Sequence, residues 1–363
     1  MRRQLMSMAL AISFSVCALA SRGLAQGCPY GETCTVELPG AECADGTPMF
    51  MNVTPREGAS RLYIYLQGGG ACWDAATCGC GWDGSCSGGT AATLTRPDSG
   101  SVRSGWHSAS TPGNPITLDY NIIEIPYCSG DLFMGNKLQT FGGRGRGLKQ
   151  FGYRSLGIAL GTAKALFPRP QSVVFMGSSA GGLGASFNLH QIRRIYPVAP
   201  LSLIVDSGTP FKAPFVNQRG LDKIMNAWSL RDNIPEDYFR LVPGPLDMAG
   251  IVKYNARRYP EHNYALISSY NDLTMNSFAI LIGSIYGFFA VHGILNDVAD
   301  HDLGERQKVF YVPGKRHTFH EQPLTEVVAN GVNLGEWLAA MLGDQADWPD
   351  QRSVRGLEPT MVP

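Results

Sequence analysis

The residues best equipped for chemistry lie in Gly177-Ser178-Ser179-Ala180-Gly181-Gly182, where the apolar run that begins at Ser172 stops on a Gly-x-Ser-x-Gly pattern. Such a pattern marks a sharp turn between a buried strand and a helix, which pushes the central hydroxyl out of the chain. Ser179 is therefore the candidate nucleophile. Side chains at Gly177 or Gly181 would collide with the neighbouring strand and helix. A helix starting about Ala180 would set its positive end beside the Ser179 oxygen.

A serine hydroxyl is a weak nucleophile and needs a histidine base, itself oriented by a carboxylate. His190, His262, His292, His301, His317 and His320 follow Ser179, and His190 falls inside the predicted elbow helix. His317 comes just after the last apolar strand, where a base belongs, with His320 its near competitor. Asp272 follows the strand ending at Tyr270 and is the preferred acid. Asp206 follows an earlier strand, and capping the Ser207-Gly208 turn would explain it equally well. The acidic cluster Asp297, Asp300 and Asp302 around His301 reads as a solvated loop. Ester cleavage also builds negative charge on the carbonyl oxygen, which preorganised N–H donors must meet. Gly68-Gly69-Gly70, directly after the strand Arg61–Leu66, can bring its backbone close enough, and Ala180 supplies the partner donor.

The elements that must hold these residues are short apolar runs separated by helical patterns. Strands are expected at 61–66, 121–126, 172–178, 201–205, 264–270 and 308–312. Helices are expected at 146–167, at 183–196 up to Pro197, and at 326–342. Alternation of this kind predicts an α/β protein whose mainly parallel sheet carries helices on both faces. Chemistry then gathers at the carboxyl ends of the strands. Residues 27–60 read as loops with at most short edge strands, and 71–117 as a long irregular stretch. Residues 277–295 are apolar enough to line an acyl pocket, form a lid, or be a buried helix.

Net charge is formally zero and no basic block occurs, which gives no reason to expect a nucleic acid or an anionic membrane as partner, and no stable membrane insertion is expected. Arg2 and Arg3 followed by the apolar run Met8–Ala20 read as a secretory signal over residues 1–25, too short to span a membrane comfortably. Ala18-Leu19-Ala20 and Gly23-Leu24-Ala25 are the candidate cleavage sites. A single domain is expected over 26–350 and a loosely ordered tail over 351–363. Removing Cys17 with the signal leaves Cys28, Cys34, Cys43, Cys72, Cys78, Cys80, Cys86 and Cys128, an even number in an exported chain. Disulfides are the expectation. Zinc at Cys78, Cys80 and Cys86 lacks spaced histidines or a second C-x-x-C pair, so neither metal nor cofactor is expected.

Together these motifs resemble the pectin acetylesterase and Notum carboxylesterase family. Leu66-Gln67-Gly68-Gly69-Gly70-Ala71-Cys72-Trp73 is similar to its L-E-G-G-x-x-C segment, and Ile125-Pro126-Tyr127-Cys128-Ser129-Gly130-Asp131 to its Y-C-S/D-x-D/S segment. Gly177–Gly182 is similar to its G-S/C-S-A-G-G, and Asp206-Ser207-Gly208 to its D-S/A-G. The resemblance spans about residues 60 to 320. It implies an α/β-hydrolase fold and a metal-free triad of Ser179, Asp272 and His317, with oxyanion donors at Gly69, Gly70 and Ala180. It also implies removal of O-acyl groups: acetyl from pectin in plant-like and bacterial members, a fatty acyl group from a protein in Notum. Gln67 stands where Glu is frequent, Gly70 where a bulky aromatic is usual, and the late cysteines of animal and plant members are missing. The expected function is a secreted or periplasmic serine esterase acting on an acylated, most simply acetylated, polysaccharide. The alternatives are a lipase or polyester hydrolase, a non-catalytic glycan- or lipid-binding protein, and a peptidase or thioesterase. Oligomeric state is open.

Overall fold

The computed structural model describes residues 27–81, 85–89, 92–96, 105–108, 110–116, 118–141, 147–344 and 348–353. The expected signal segment lies outside the described residues. In the order of the chain, the main sheet is built from β1 (Cys34–Glu42), β2 (Pro48–Thr54), β3 (Arg61–Leu66), β4 (Tyr120–Ile125), β5 (Val173–Ser178), β6 (Leu201–Asp206), β7 (Asn263–Ser269), β8 (Gln307–Val312) and β9 (Gln351–Arg352). Across the sheet they run β1-β2-β4-β3-β5-β6-β7-β8-β9. From β4 to β9 neighbours are parallel, while β1–β2 and β2–β4 are antiparallel.

The continuous apolar runs mark strands covered on both sides. In β5 alternate residues divide between two cores: Val173 and Phe175 face one, Val174 and Met176 the other. Helices α1 (Gly152–Leu166), α2 (Ala180–Phe187), α3 (Leu189–Ile195), α4 (Gln218–Ala227) and α5 (Met248–Arg258) contribute to the first core. So do α6 (Leu273–Leu281) and α7 (Ala290–His301). The second core is closed by α8 (Leu334–Leu342), through Trp337, Leu338 and Met341.

Five expectations need correction. Residues 27–60 are not loop: β1 and β2 extend the sheet, with a register shift between Glu37 and Glu42 that interrupts their pairing. The helix expected from 146 starts at Gly152, because Leu148–Gln150 pairs with Lys137–Gln139 in a small ribbon. The elbow helix breaks at Asn188, whose amide donates to the Gly184 carbonyl and across to the Phe133 carbonyl. The last helix starts at Leu334 rather than 326, after a hairpin that turns on Asn330-Gly331. Finally, 351–352 belong to the sheet instead of a loose tail, since Gln351 and Arg352 pair with Phe310 and Tyr311.

The eight cysteines form disulfides as expected, and the structure supplies the pairing the sequence left open: Cys28–Cys34, Cys43–Cys128, Cys72–Cys78 and Cys80–Cys86. This rules out zinc at Cys78, Cys80 and Cys86. Among the described residues no helix is long and apolar enough to cross a membrane.

Candidate active site

Ser179 sits between β5 and α2 with φ +54° and ψ −120°, a backbone strain that a serine adopts only when its surroundings hold it there. The hold is visible. Its N–H donates to the Asp206 carbonyl at 2.8 Å, and its carbonyl accepts from Leu183 N–H at 3.1 Å. A Cβ at Gly177 would lie 2.0 Å from the Gly181 carbonyl oxygen, and one at Gly181 would lie 2.1 Å from the Leu66 carbonyl oxygen. Both glycines are thus required by close approach.

His317 Nε2 lies 2.8 Å from Ser179 Oγ, and His317 Nδ1 lies 2.7 Å from Asp272 Oδ2. A carboxylate only accepts, so Nδ1 carries the proton and Nε2 is free to accept from the Ser179 hydroxyl. Asp272 is fully buried and divides its two oxygens. Oδ2 takes the imidazole, while Oδ1 caps α6 by accepting from Met275 N–H at 3.0 Å.

His320 is turned elsewhere: its Nδ1 meets Thr318 Oγ1 at 2.9 Å and Asp206 Oδ2 at 3.4 Å. Asp206 does more than cap its own turn. It accepts from the N–H groups of Phe319 and His320 at 3.0 Å, from Ser178 Oγ at 2.9 Å and from Ser207 Oγ at 3.1 Å. One buried carboxylate therefore fastens the loop bearing His317 to the strand that leads into Ser179. The sequence held a partial signal, an acid at the end of β6, but nothing local names partners over a hundred residues away.

Asp131, unassigned in the sequence beyond its motif, is buried and accepts from Ser129 Oγ at 2.6 Å, Gly152 N–H at 2.7 Å and Phe133 N–H at 3.1 Å. Burial raises its carboxyl to about 6, against those hydrogen bonds. It ties the 127–133 loop to the start of α1.

Of the three predicted oxyanion donors, Gly70 and Ala180 share a pocket lining with Ser179. Gly69 is packed so tightly that a Cβ would lie 2.7 Å from Tyr127 Cδ1, and its carbonyl accepts from Thr93 N–H at 2.8 Å. Gly68 also approaches the nucleophile: a Cβ there would lie 3.0 Å from Ser179 Cβ. Among the described residues no group of three or more His, Cys, Asp or Glu is placed to hold a metal ion.

With this geometry in view, a family model described as pectinacetylesterase matches residues 34–236, more than half of the chain. The chain belongs to the pectinacetylesterase family. Its relatives include the palmitoleoyl-protein carboxylesterase notum2 of Xenopus laevis, 30% identical over 158 residues, which cover 41% of this chain and 30% of that protein. The human palmitoleoyl-protein carboxylesterase NOTUM is 28% identical over 178 residues, covering 46% and 34%. The matches thus span about a third of these relatives' length. The Drosophila Wnt deacylase Notum, in its crystal form II, superposes with a TM-score of 0.66 at 17% identity, covering 88% of this chain and 95% of that one. That likeness carries the fold, an α/β-hydrolase-like sheet.

In this pectinacetylesterase-family chain the pocket beside Ser179 is walled by Trp73, Trp228, Met248, Met275, Phe278 and Ile282. Its cavity is small, about 20 Å³. A cleft of about 780 Å³ lies apart from the triad residues, among Thr33, Asn52, Thr54 and Glu124. The hydrogen-bonded Ser179–His317–Asp272 chain lies at the smaller pocket and not at this cleft.

Proposed function

We propose that the protein is a secreted or periplasmic serine carboxylesterase that removes small acyl groups, acetyl above all, from a polysaccharide. The Ser179–His317–Asp272 hydrogen-bond chain is the observation that carries this reading. Ser179 Oγ attacks the ester carbonyl as His317 Nε2 takes its proton, and Asp272 stabilises the imidazolium. The oxyanion rests on the N–H groups of Gly69, Gly70 and Ala180. As the tetrahedral species collapses, His317 returns the proton to the departing alcohol and leaves an acyl-enzyme. Water, deprotonated by the same imidazole, then releases the acid and restores Ser179.

The small apolar pocket favours acetyl, as does the description of the family. The disulfides fit an oxidising compartment. A second reading, hydrolysis of longer acyl chains, draws on the wholly apolar wall formed by Met248, Met275, Phe278 and Ile282, of which the methionines adapt readily.

The test is kcat/KM on p-nitrophenyl esters from two to sixteen carbons, alongside acetate release from acetylated pectin. Acetyl preference with acetate release is the expected result. A maximum at long chains would install the second reading, and no hydrolysis at all would sink both. An organophosphate should label the peptide containing Ser179 and leave Ser179→Ala untouched.

A further inference from the structure

From Leu273 to Asn296 the chain carries no Asp, Glu, Lys or Arg. A buried stretch would explain this, and its inner side is buried: Met275, Ala279, Val291, Ile294 and Leu295 belong to the core. Its outer side is not. Ile280, Leu281, Ile285, Tyr286, Phe288 and Phe289 are all exposed, Ile285 by 90%, Phe289 by 73% and Phe288 by 55%. Isolated exposed apolar residues are ordinary, but a charge-free cluster of this size on one hairpin marks an interaction surface. The tip between α6 and α7 is anchored from below, where the Tyr286 ring packs 5.6 Å from that of Phe215.

The charges around the patch identify its occupant. At the start of α6, Leu273 N–H donates to the carbonyl of Lys315, and Lys315 and Arg316 are both exposed. At its other end, Ile282 lies against Gly220 of α4, whose neighbour Arg219 is exposed. Basic groups thus stand at both ends of an apolar surface that carries no acid. Two copies of the chain meeting through this face would set apolar residues 273–296, which hold no carboxylate, against those cations; the acid beside them is the exposed Asp222, one turn on from Arg219. An anionic lipid surface answers both features: hydrocarbon takes the aromatic and aliphatic tips, and headgroup phosphates take the arginines and lysine.

We infer that the α6–α7 hairpin docks the protein peripherally on anionic lipid surfaces. Phe278 of α6 and Ile282, just past its end, line the Ser179 pocket, so docking holds that pocket at the interface. The inference stands independently of the ester chemistry.

Sedimentation of the full chain with sucrose-loaded phosphatidylglycerol–phosphatidylcholine vesicles tests it. Binding is expected, weakened by salt and by pure phosphatidylcholine. Phe288→Ser and Phe289→Ser should each lower partitioning about tenfold, and Arg219→Gln and Arg316→Gln about fivefold each. Neither phenylalanine lines the pocket, so p-nitrophenyl acetate hydrolysis and Tm should hold in the Phe288→Ser/Phe289→Ser protein and report its folding. Absence of parent binding overturns the inference, as does full vesicle binding by that double variant. A parent dimer in ultracentrifugation that the double variant dissolves would also overturn it, by making the patch a self-association face. Vesicle binding without esterase activity would support docking and sink only the proposed function.

Discussion

The chain before residue 129 and the chain after it are held together by different means. The first contains all four disulfides, three of them closing loops of sequence separation 6 and one, Cys43–Cys128, bridging 85 residues. The second contains the candidate acid and base and, among the described residues, no cross-link. Its long-range ties are buried hydrogen bonds, with Asp206 at their centre. Among the described residues of the first region, the 71–117 stretch holds only a short 3-10 turn, and Cys72 and Cys78 pack in a small cluster with Ala44, Ala92, Leu94 and Leu148, which is where covalent help adds most. The second forms parallel strands and helices with continuous cores and can position groups without staples. Staples limit how far loops wander; buried carboxylates set where individual atoms sit.

Variants can break this contrast, beginning with the largest effect. Asp272→Asn should lower kcat by about 10⁴-fold, because the amide no longer holds the reactive tautomer. His317→Ala should be at least as severe, whereas His320→Ala should stay within about tenfold on the same ester. Near-equal losses at the two histidines would remove His317 from its role.

Next, Cys43→Ala/Cys128→Ala should cost roughly 4 to 5 kcal/mol of stability in the chain-entropy account, read from chemical denaturation. Its kcat at 10 °C should be near that of the parent. A large kcat loss in the folded variant would mean that the staples also set catalytic geometry.

Asp206→Ala, which strands buried donors at Ser178, Phe319 and His320, should cost about 3 kcal/mol and also depress kcat. Unchanged kcat in that variant would show that the His317 loop is held by packing alone.

The smallest effect concerns acid. Burial pushes the His107 imidazole down to about 3, with His320 nearby adding to the shift. Its folded value is below the unfolded one, so the unfolded chain binds the extra proton first. Stability from this group is full above about pH 6.5 and is lost as pH falls toward 3. His107→Phe should therefore lose less Tm than the parent between pH 7 and pH 5.

Much of the arrangement was legible because parallel strands buried on both faces are written as unbroken apolar runs. β3, β5, β6, β7 and β8 lie within about one residue of expectation. The elbow was legible for a steric reason, since Gly177 and Gly181 admit no side chain. Strand β1 was hidden because Pro39, Gly40 and its many exposed positions look like loop, and what makes it a strand is pairing with β2. The start of α8 was legible in principle: Asn330-Gly331 is a hairpin turn, and Asn333 caps the helix by accepting from Glu336 N–H. The apolar period simply ran across both. Asp206 was seen as a turn acid, but its grip on residues 319–320 is a product of tertiary packing and has no local trace.

Asp272 leaves one consequence for the evolution of this pocket. Its two oxygens make a single rigid carboxylate both the anchor of α6 and the rest for the imidazole. Under the proposed chemistry, tilting α6 outward to admit a bulkier acyl group would rotate that carboxylate and misaim the His317 imidazole. Under that reading, room for a larger acyl group is made with less cost to the imidazole at lining residues outside α6, such as Ile224 or Trp228.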